Sequence, residues 1–156
     1  MLQAKSLSDL PIMATLSPGE VKILANVMRE VNVAPGAALY RQGTRASACH
    51  FVLEGELQVY LEDPAGRRAL GPVAKGELVG EIALLDGGLR SATCEGGSEG
   101  ARLAELSKAD FDQVFAAQSP FAFKLMDLIA DRLVRRFRGS MDMLVERALE
   151  GQEPSA

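Results

Sequence analysis

The stretch VGEIALLDGGLRSAT (Val79–Thr93) decides how the rest of the chain is read. An acid follows a glycine, one apolar turn follows the acid, a glycine pair follows the turn, and Arg90-Ser91-Ala92 closes the run. Gly80 lets the backbone enter a tight, positive-φ conformation. Glu81 to Leu85 is too short for a helix that stands alone, but it suits a single turn set between strands. The start of such a turn leaves N–H groups without intrahelical partners, and these favour an anion. Apolar Ile82, Ala83 and Leu84 are expected to anchor the turn in the core. Gly87-Gly88 then sends the chain back, and Arg90 arrives nine positions after Glu81 with Ser91 beside it. An arginine fork matches two phosphate oxygens, and a serine hydroxyl adds a donor. An ionised Glu only accepts, which suits a sugar hydroxyl. The plain alternative is a surface loop with a Glu81–Arg90 ion pair, contributing about 0–1 kcal/mol. The order of the residues favours the binding site over the loop.

Outward from this run, the stretch from about Val31 to Leu106 is punctuated by Gly36, Gly43, Gly55, Gly66, Gly71, Gly76, Gly80 and Gly87. That rhythm predicts short antiparallel strands joined by turns, closing into a sandwich or jelly-roll barrel. In HFVLEGELQVYLED (His50–Asp63) a turn is expected at Glu54-Gly55. Beyond it, Leu57, Val59 and Leu61 alternate with Gln58, Tyr60 and Glu62, giving one buried and one wet face. EDPAGRR (Glu62–Arg68) reads as a second hairpin tip.

The flanks are helical. Ser17 is an N-cap, with Pro18 at the first helical position and Glu20 three residues after the cap, and Val21, Leu24, Ala25 and Met28 share a face. Ser107 caps KADFDQVFAAQ, and Ser119-Pro120 opens a longer helix. Its apolar stripe is Met126, Ile129, Leu133, Phe137, Met141, Leu144 and Ala148, about 30 residues or roughly 45 Å. That exceeds what one small barrel covers, so the far end is expected to pack on something else, a second copy being the simplest candidate. Gly139 weakens the middle by about 1 kcal/mol relative to Ala and is a candidate hinge. The tail GQEPSA is expected to fray. The reading is a mainly β fold with flanking helices (α+β). It has an N-terminal helical segment (1–30), a β-roll (31–106) carrying the 79–93 run, and C-terminal helices (107–150), in one domain.

The totals fit this. A chain of 156 residues, 47% hydrophobic and 24% charged, suits one globular domain. The net charge of −4 argues against nucleic-acid binding through the whole surface. Cys49 and Cys94 have no metal or disulfide spacing and read as small core residues. The start lacks a signal-peptide core, and no apolar run approaches the roughly 20 residues that span a bilayer. A cytoplasmic protein without a membrane segment, metal or cofactor is expected.

The run GEIALLDGGLRSAT resembles the phosphate-binding cassette of cyclic-nucleotide-binding domains, and its Glu-to-Arg gap is similar to that of eukaryotic kinase regulatory subunits. The resemblance covers roughly Leu16 to Phe137 and takes in APGAALYRQG (Ala34–Gly43), FVLEGELQVY (Phe51–Tyr60) and LSKADFDQV (Leu106–Val114). It implies a β-roll flanked by helices, with the cyclic nucleotide held inside, as in a catabolite-activator-like sensor domain. It implies Gly80 and Glu81 in the site, with Glu81 on the ribose 2′-hydroxyl. Arg90 and Ser91 would take the phosphate, with backbone N–H groups of Ile82, Ala83 and Ala92. The long helix would close over the base, with Arg135, Arg136 and Phe137 as candidate caps. The alternative for these three is a dimer stripe (Phe137) and a solvated face (the arginines). Ser91 is compatible with phosphate or with a guanine edge, so the base stays open. cAMP is favoured over cGMP as the commoner ligand of bacterial relatives. Two departures stand out: Leu89 replaces a frequent proline before the arginine, and CEGGSEGARLAEL (Cys94–Leu106) is glycine-rich where the family has firm strands.

Arg132, Arg135, Arg136 and Arg138 are candidates to contact DNA or an acidic partner, against the plainer reading that they are solvated or paired with local acids. About ten residues follow Val145, too few for a winged helix-turn-helix, so direct DNA binding is not expected. The output is expected through a homodimer or partner protein, by a ligand-driven shift toward the form with the cassette drawn in and the long helix docked. The readings that compete are a nucleotide-independent interaction module on the same fold and a metal-dependent jelly-roll enzyme. The enzyme is disfavoured because His50 is the only histidine. A thiol sensor using Cys49 and Cys94 is the weakest of the set.

Overall fold

A computed structural model describes residues 2–116 and 120–150, apart from the side chains of Ala83, Arg147, Leu149 and Glu150. Ser119 and the tail from Gly151, for which the sequence predicts a cap and fraying, lie outside the described residues.

The elements run in the order α1 (Ala4–Ser8), a 3-10 turn (Pro11–Met13), α2 (Pro18–Val27), β1 (Arg29–Val33), β2 (Ala38–Tyr40) and β3 (Ala48–Asp63). Then come β4 (Gly66–Ala74), β5 (Leu78–Val79), α3 (Ile82–Asp86), β6 (Thr93–Ser107), α4 (Lys108–Ala116) and α5 (Pro120–Glu150). All pairings between the strands are antiparallel, in the order β1-β6-β3-β4, with β2 added to β6 and β5 to β3. This is the mainly β jelly-roll architecture with flanking helices that the sequence predicts. α1 and the 3-10 turn are additions that the sequence reading does not contain.

Local chemistry sets the helix starts. The Ser17 side chain accepts from the Glu20 N–H, and the Glu20 carboxylate accepts from the Ser17 N–H, a full capping box. Ser107 Oγ accepts from the Asp110 N–H at 3.1 Å. The two long strands alternate between two cores, as period-2 geometry requires. Cys49, Phe51 and Leu53 of β3 and Ala104 and Leu106 of β6 face the helices, with Leu24, Phe111, Leu125 and Ile129. Val52, Leu57 and Val59 of β3 and Cys94, Ala101 and Leu103 of β6 fill the roll's interior.

The turn expected at Glu54-Gly55 is absent. β3 runs unbroken through it, with the register against β6 shifting at this point. Gly55 takes φ +71, and a Cβ there would sit 2.2 Å from the Gly100 carbonyl oxygen. The glycine therefore serves a bulge and a close backbone approach. The glycine-rich stretch after Cys94 is likewise one strand. A Cβ at Gly96 would meet the Ala34 carbonyl oxygen at 2.3 Å, and one at Gly100 the Val33 carbonyl oxygen at 2.5 Å. Glycine lets β6 pass under the β1–β2 connection.

α5 continues through Gly139 as one helix. Its near half is buried through Phe121, Leu125, Leu128 and Ile129, while Met126 and Leu133 are partly covered. Its far half leaves Val134, Phe137, Met141, Leu144 and Val145 exposed. No described helix is long and apolar enough to cross a membrane.

Candidate functional site

β5 lies on β3 through His50↔Val79 and Phe51↔Leu78, and delivers the chain to Gly80. Gly80 has φ +78, and a Cβ there would lie 2.4 Å from Arg90 Nη1. Only glycine satisfies both the backbone and the arginine packed against it. α3 follows, anchored by Leu84, which is fully buried. Ile82 is 44% exposed, which corrects the expectation that it anchors the turn. A single helical turn presents successive residues about 100° apart, so it can commit one side chain to the core while its neighbours face outward. The core expectation for Ala83 falls on a side chain outside the described residues.

The return limb is tied to the loop after β2. Arg90 N–H donates to the Thr44 carbonyl at 2.8 Å, Gly43 N–H to the Arg90 carbonyl at 2.9 Å, and Ala46 N–H to the Gly88 carbonyl at 3.1 Å. These bonds turn the Arg90 side chain inward, to 7% exposure. Its guanidinium carbon lies 3.9 Å above the Tyr40 ring. Nη1 makes one long contact, 3.4 Å, to the Gly80 carbonyl, and the buried Nε has no partner. Among the described residues no carboxylate pairs with Arg90.

Glu81 is fully buried. Its Oε1 accepts from Arg136 Nη1 of α5 at 2.8 Å, and its Oε2 has no hydrogen-bond partner. The surface-loop alternative, with Glu81 and Arg90 paired in solvent, is therefore not what the chain forms. Both groups are inside, each missing part of its hydrogen-bond complement. Between them is a cavity of about 40 Å³, whose lining includes Tyr40, Glu81, Arg90, Ser91, Ala92 and Arg136. That is room for a few waters, one of which needs about 10–15 Å³ of such space, and not for a nucleotide. Arg136 lines the hollow and holds the acid.

Of the candidate caps, only Arg136 reaches the site. Arg135 pairs with Asp131 on the outer face of α5, and Phe137 is 67% exposed. Arg132 pairs with Glu77, so three of the four helix arginines answer local acids. His50 is buried and shares a 3.0 Å hydrogen bond with Glu105, which Arg29 also engages. Burial holds its imidazole below the usual pKa, against the opposing pull of Glu105. Among the described residues no three His, Cys, Asp or Glu side chains gather as a metal would require. The thiols sit in different cores, Cys49 in the helix-side core and Cys94 inside the roll, and burial raises both, Cys94 to about 11. Tyr40 is the site residue the sequence reading misses, because a three-residue strand has no legible period.

A buried arginine that no described carboxylate pairs with, a buried carboxylate, and a glycine-bounded turn thus meet between strands of a jelly roll. The sequence profile of the cyclic nucleotide-binding domain matches residues 30–118, and the chain belongs to that family. It is 28% identical over 108 residues to a cAMP-dependent protein kinase regulatory subunit of Colletotrichum orbiculare, covering 69% of this chain and 27% of that one. A cyclic nucleotide-binding domain of Methylobacillus flagellatus superposes with TM-score 0.81 at 25% identity, covering 92% of this chain and 81% of that one. The Thermus thermophilus catabolite activator protein gives TM-score 0.71 at 29% identity, covering 86% and 63%. The chain spans about a third or less of the length of the first curated relatives it matches.

Proposed function

We propose that this chain is a cyclic-nucleotide sensor, binding cAMP in preference to cGMP and acting through α5 in the cytoplasm on a second copy of itself or on a partner protein. The observation that carries the reading is Arg90, a guanidinium at 7% exposure that no carboxylate pairs with among the described residues. A buried charge favours a countercharge, and a bound anion would pair with Arg90 directly. A cyclic phosphate carries one negative charge and two free oxygens, matching the arginine fork. Ser91 and the N–H groups of Ile82, Ala83 and Ala92 complete the cradle, and Glu81 accepts from the ribose 2′-hydroxyl.

Glu81 also supplies the switch. Its Oε1 is held by Arg136, which also lines the hollow beside Arg90, so a nucleotide and α5 compete for one space. Ligand therefore favours a form in which Arg136 has left Glu81, the reverse of the docked helix that the sequence reading expects, and this differential affinity moves the helix. The displaced helix carries Val134, Phe137, Met141 and Leu144, exposed and spaced three and four residues apart, a pattern suited to a helix-to-helix seam. The cAMP preference rests on the cAMP-dependent kinase subunits among the relatives. Catalysis and direct DNA contact are no part of the reading.

The cavity of about 40 Å³ favours one second reading, an interaction module whose hollow Arg136 keeps filled. Thermal shift separates the two. A ligand that selects the native state raises its melting temperature, so cAMP is expected to raise it dose-dependently. A flat response to cAMP and cGMP at millimolar concentration would leave the interaction module.

A further inference from the structure

We propose that Tyr40 is a positioning residue of the phosphate site: its ring face holds the Arg90 guanidinium flat inside the roll and leaves the in-plane N–H donors to the anion. The proposal rests on the reading of Arg90 as the phosphate ligand. A long, flexible arginine buried without an acid has every reason to swing out to water. The Tyr40 ring opposes this, with the guanidinium carbon 3.9 Å from its centroid, well inside the distance at which a cation is drawn to a ring face. Stacking engages the face of the guanidinium, whereas a phosphate engages its edge. The edge is what remains available, since Nε has no partner and Nη1 has only the 3.4 Å carbonyl contact. A carboxylate in the place of Tyr40 would hold the arginine as well but would occupy those donors.

The ring is itself fixed. Tyr40 stands opposite Cys94 in the β2–β6 register, and its other neighbour is the His50 ring, 6.2 Å away and tilted by 37°. Two residues on, Gln42 is clamped. Its N–H donates to Thr93 Oγ1 at 3.0 Å, its side-chain amide donates to the Glu62 carbonyl, and its Oε1 accepts from the Glu62 N–H. The strand end that carries Tyr40 is thereby locked to β3 and β6.

The test compares the full chain with Tyr40→Phe, Tyr40→Leu and Arg90→Ala, by calorimetric titration with cAMP and by NMR of the arginine Nε–H resonances. Tyr40→Leu is expected to bind cAMP about 30-fold more weakly, and Tyr40→Phe, which keeps the ring face, to recover to within about threefold of the natural protein. In the free protein the Arg90 Nε–H resonance, assigned by its loss in Arg90→Ala, is expected upfield from the ring current, to stay there in Tyr40→Phe and to leave in Tyr40→Leu. A purely structural role for Tyr40 would not tie that resonance to the ring. If Tyr40→Leu does not fold, the other measurements still decide: an Arg90 resonance at the ordinary solvent-exposed position, or loss of binding in folded Tyr40→Phe, overturns the proposal. Equal affinity of Tyr40→Leu and the natural protein overturns the proposal while leaving the sensor reading intact. Absence of cAMP binding to the natural protein overturns the sensor reading itself, and Tyr40's role with it.

Discussion

Arg90 precedes β6 and Arg102 lies within it, and they teach opposite lessons. Arg102 donates to Glu30 at 3.2 Å and to Glu54 at 2.6 Å, joining β1, β6 and β3 near the surface. Its charge is balanced within the chain, so its role is complete when the chain folds. Arg90 is more deeply buried, meets a ring face instead of an acid, and keeps donors unspent. The same residue type is a rivet in one place and, on the proposed reading, a receptor group in the other. What separates them is whether countercharge is supplied from within.

The largest expected difference follows directly. Arg90→Ala weakens cAMP binding by about 30- to several-thousand-fold, the range for truncating one partner of a buried, hydrogen-bonded charge pair. Arg102→Ala leaves affinity unchanged and lowers stability by about 1 kcal/mol, read by urea melts. Next in size, Gly55→Ala breaks the β3–β6 bulge: a positive φ and a 2.2 Å approach to the Gly100 carbonyl oxygen cost about 3 kcal/mol. For a domain of this size that lowers the melting temperature by about 6–12 °C, with no direct effect on the phosphate contacts.

Arg136→Leu sharpens the comparison from the acid's side. Removing the α5 arginine frees Glu81 for the ribose, and cAMP is expected to bind up to about tenfold more tightly while the unliganded protein loses stability. Weaker binding would mean that Arg136 caps the ligand and does not compete with it. The smallest effect is at the Lys124–Glu20 contact. The Lys124 hydrogen bond, with the capping bond from Ser17, holds the Glu20 carboxyl down at about 2 against an ordinary 4.5. A depressed folded-state value means stability that is present above pH 4.5 and lost as pH falls through about 2. Melting temperatures of Glu20→Gln are expected to be flatter than those of the natural protein across that window.

How much of this was legible in the sequence depended on distance along the chain. The cassette could be read because glycine, acid, turn, glycines and arginine are contiguous. The Ser17–Glu20 capping box and the Ser107 cap could be read because each closes within one turn. The bulge at Gly55 could not, since a positive-φ glycine serves a turn or a bulge equally well. The deciding contact is the Gly100 carbonyl of a strand 45 residues away. Nor could the choice among Arg135, Arg136 and Phe137: adjacent helical residues point about 100° apart, and only docking of α5 selects Arg136 for Glu81. Tyr40 needed the register of a three-residue strand. The spacing of Glu81 and Arg90 alone fits a solvated pair as well as a pocket, and it was their order with the glycines and the apolar turn that favoured the pocket.

The central claim is that Arg90 is buried to receive an anion. Its most direct measurement is calorimetric titration of cAMP and cGMP into the natural protein, Arg90→Ala and Arg102→Ala side by side. Saturable one-to-one binding, kept in Arg102→Ala and lost in Arg90→Ala, is the predicted result. Binding that survives unchanged in Arg90→Ala would contradict the account.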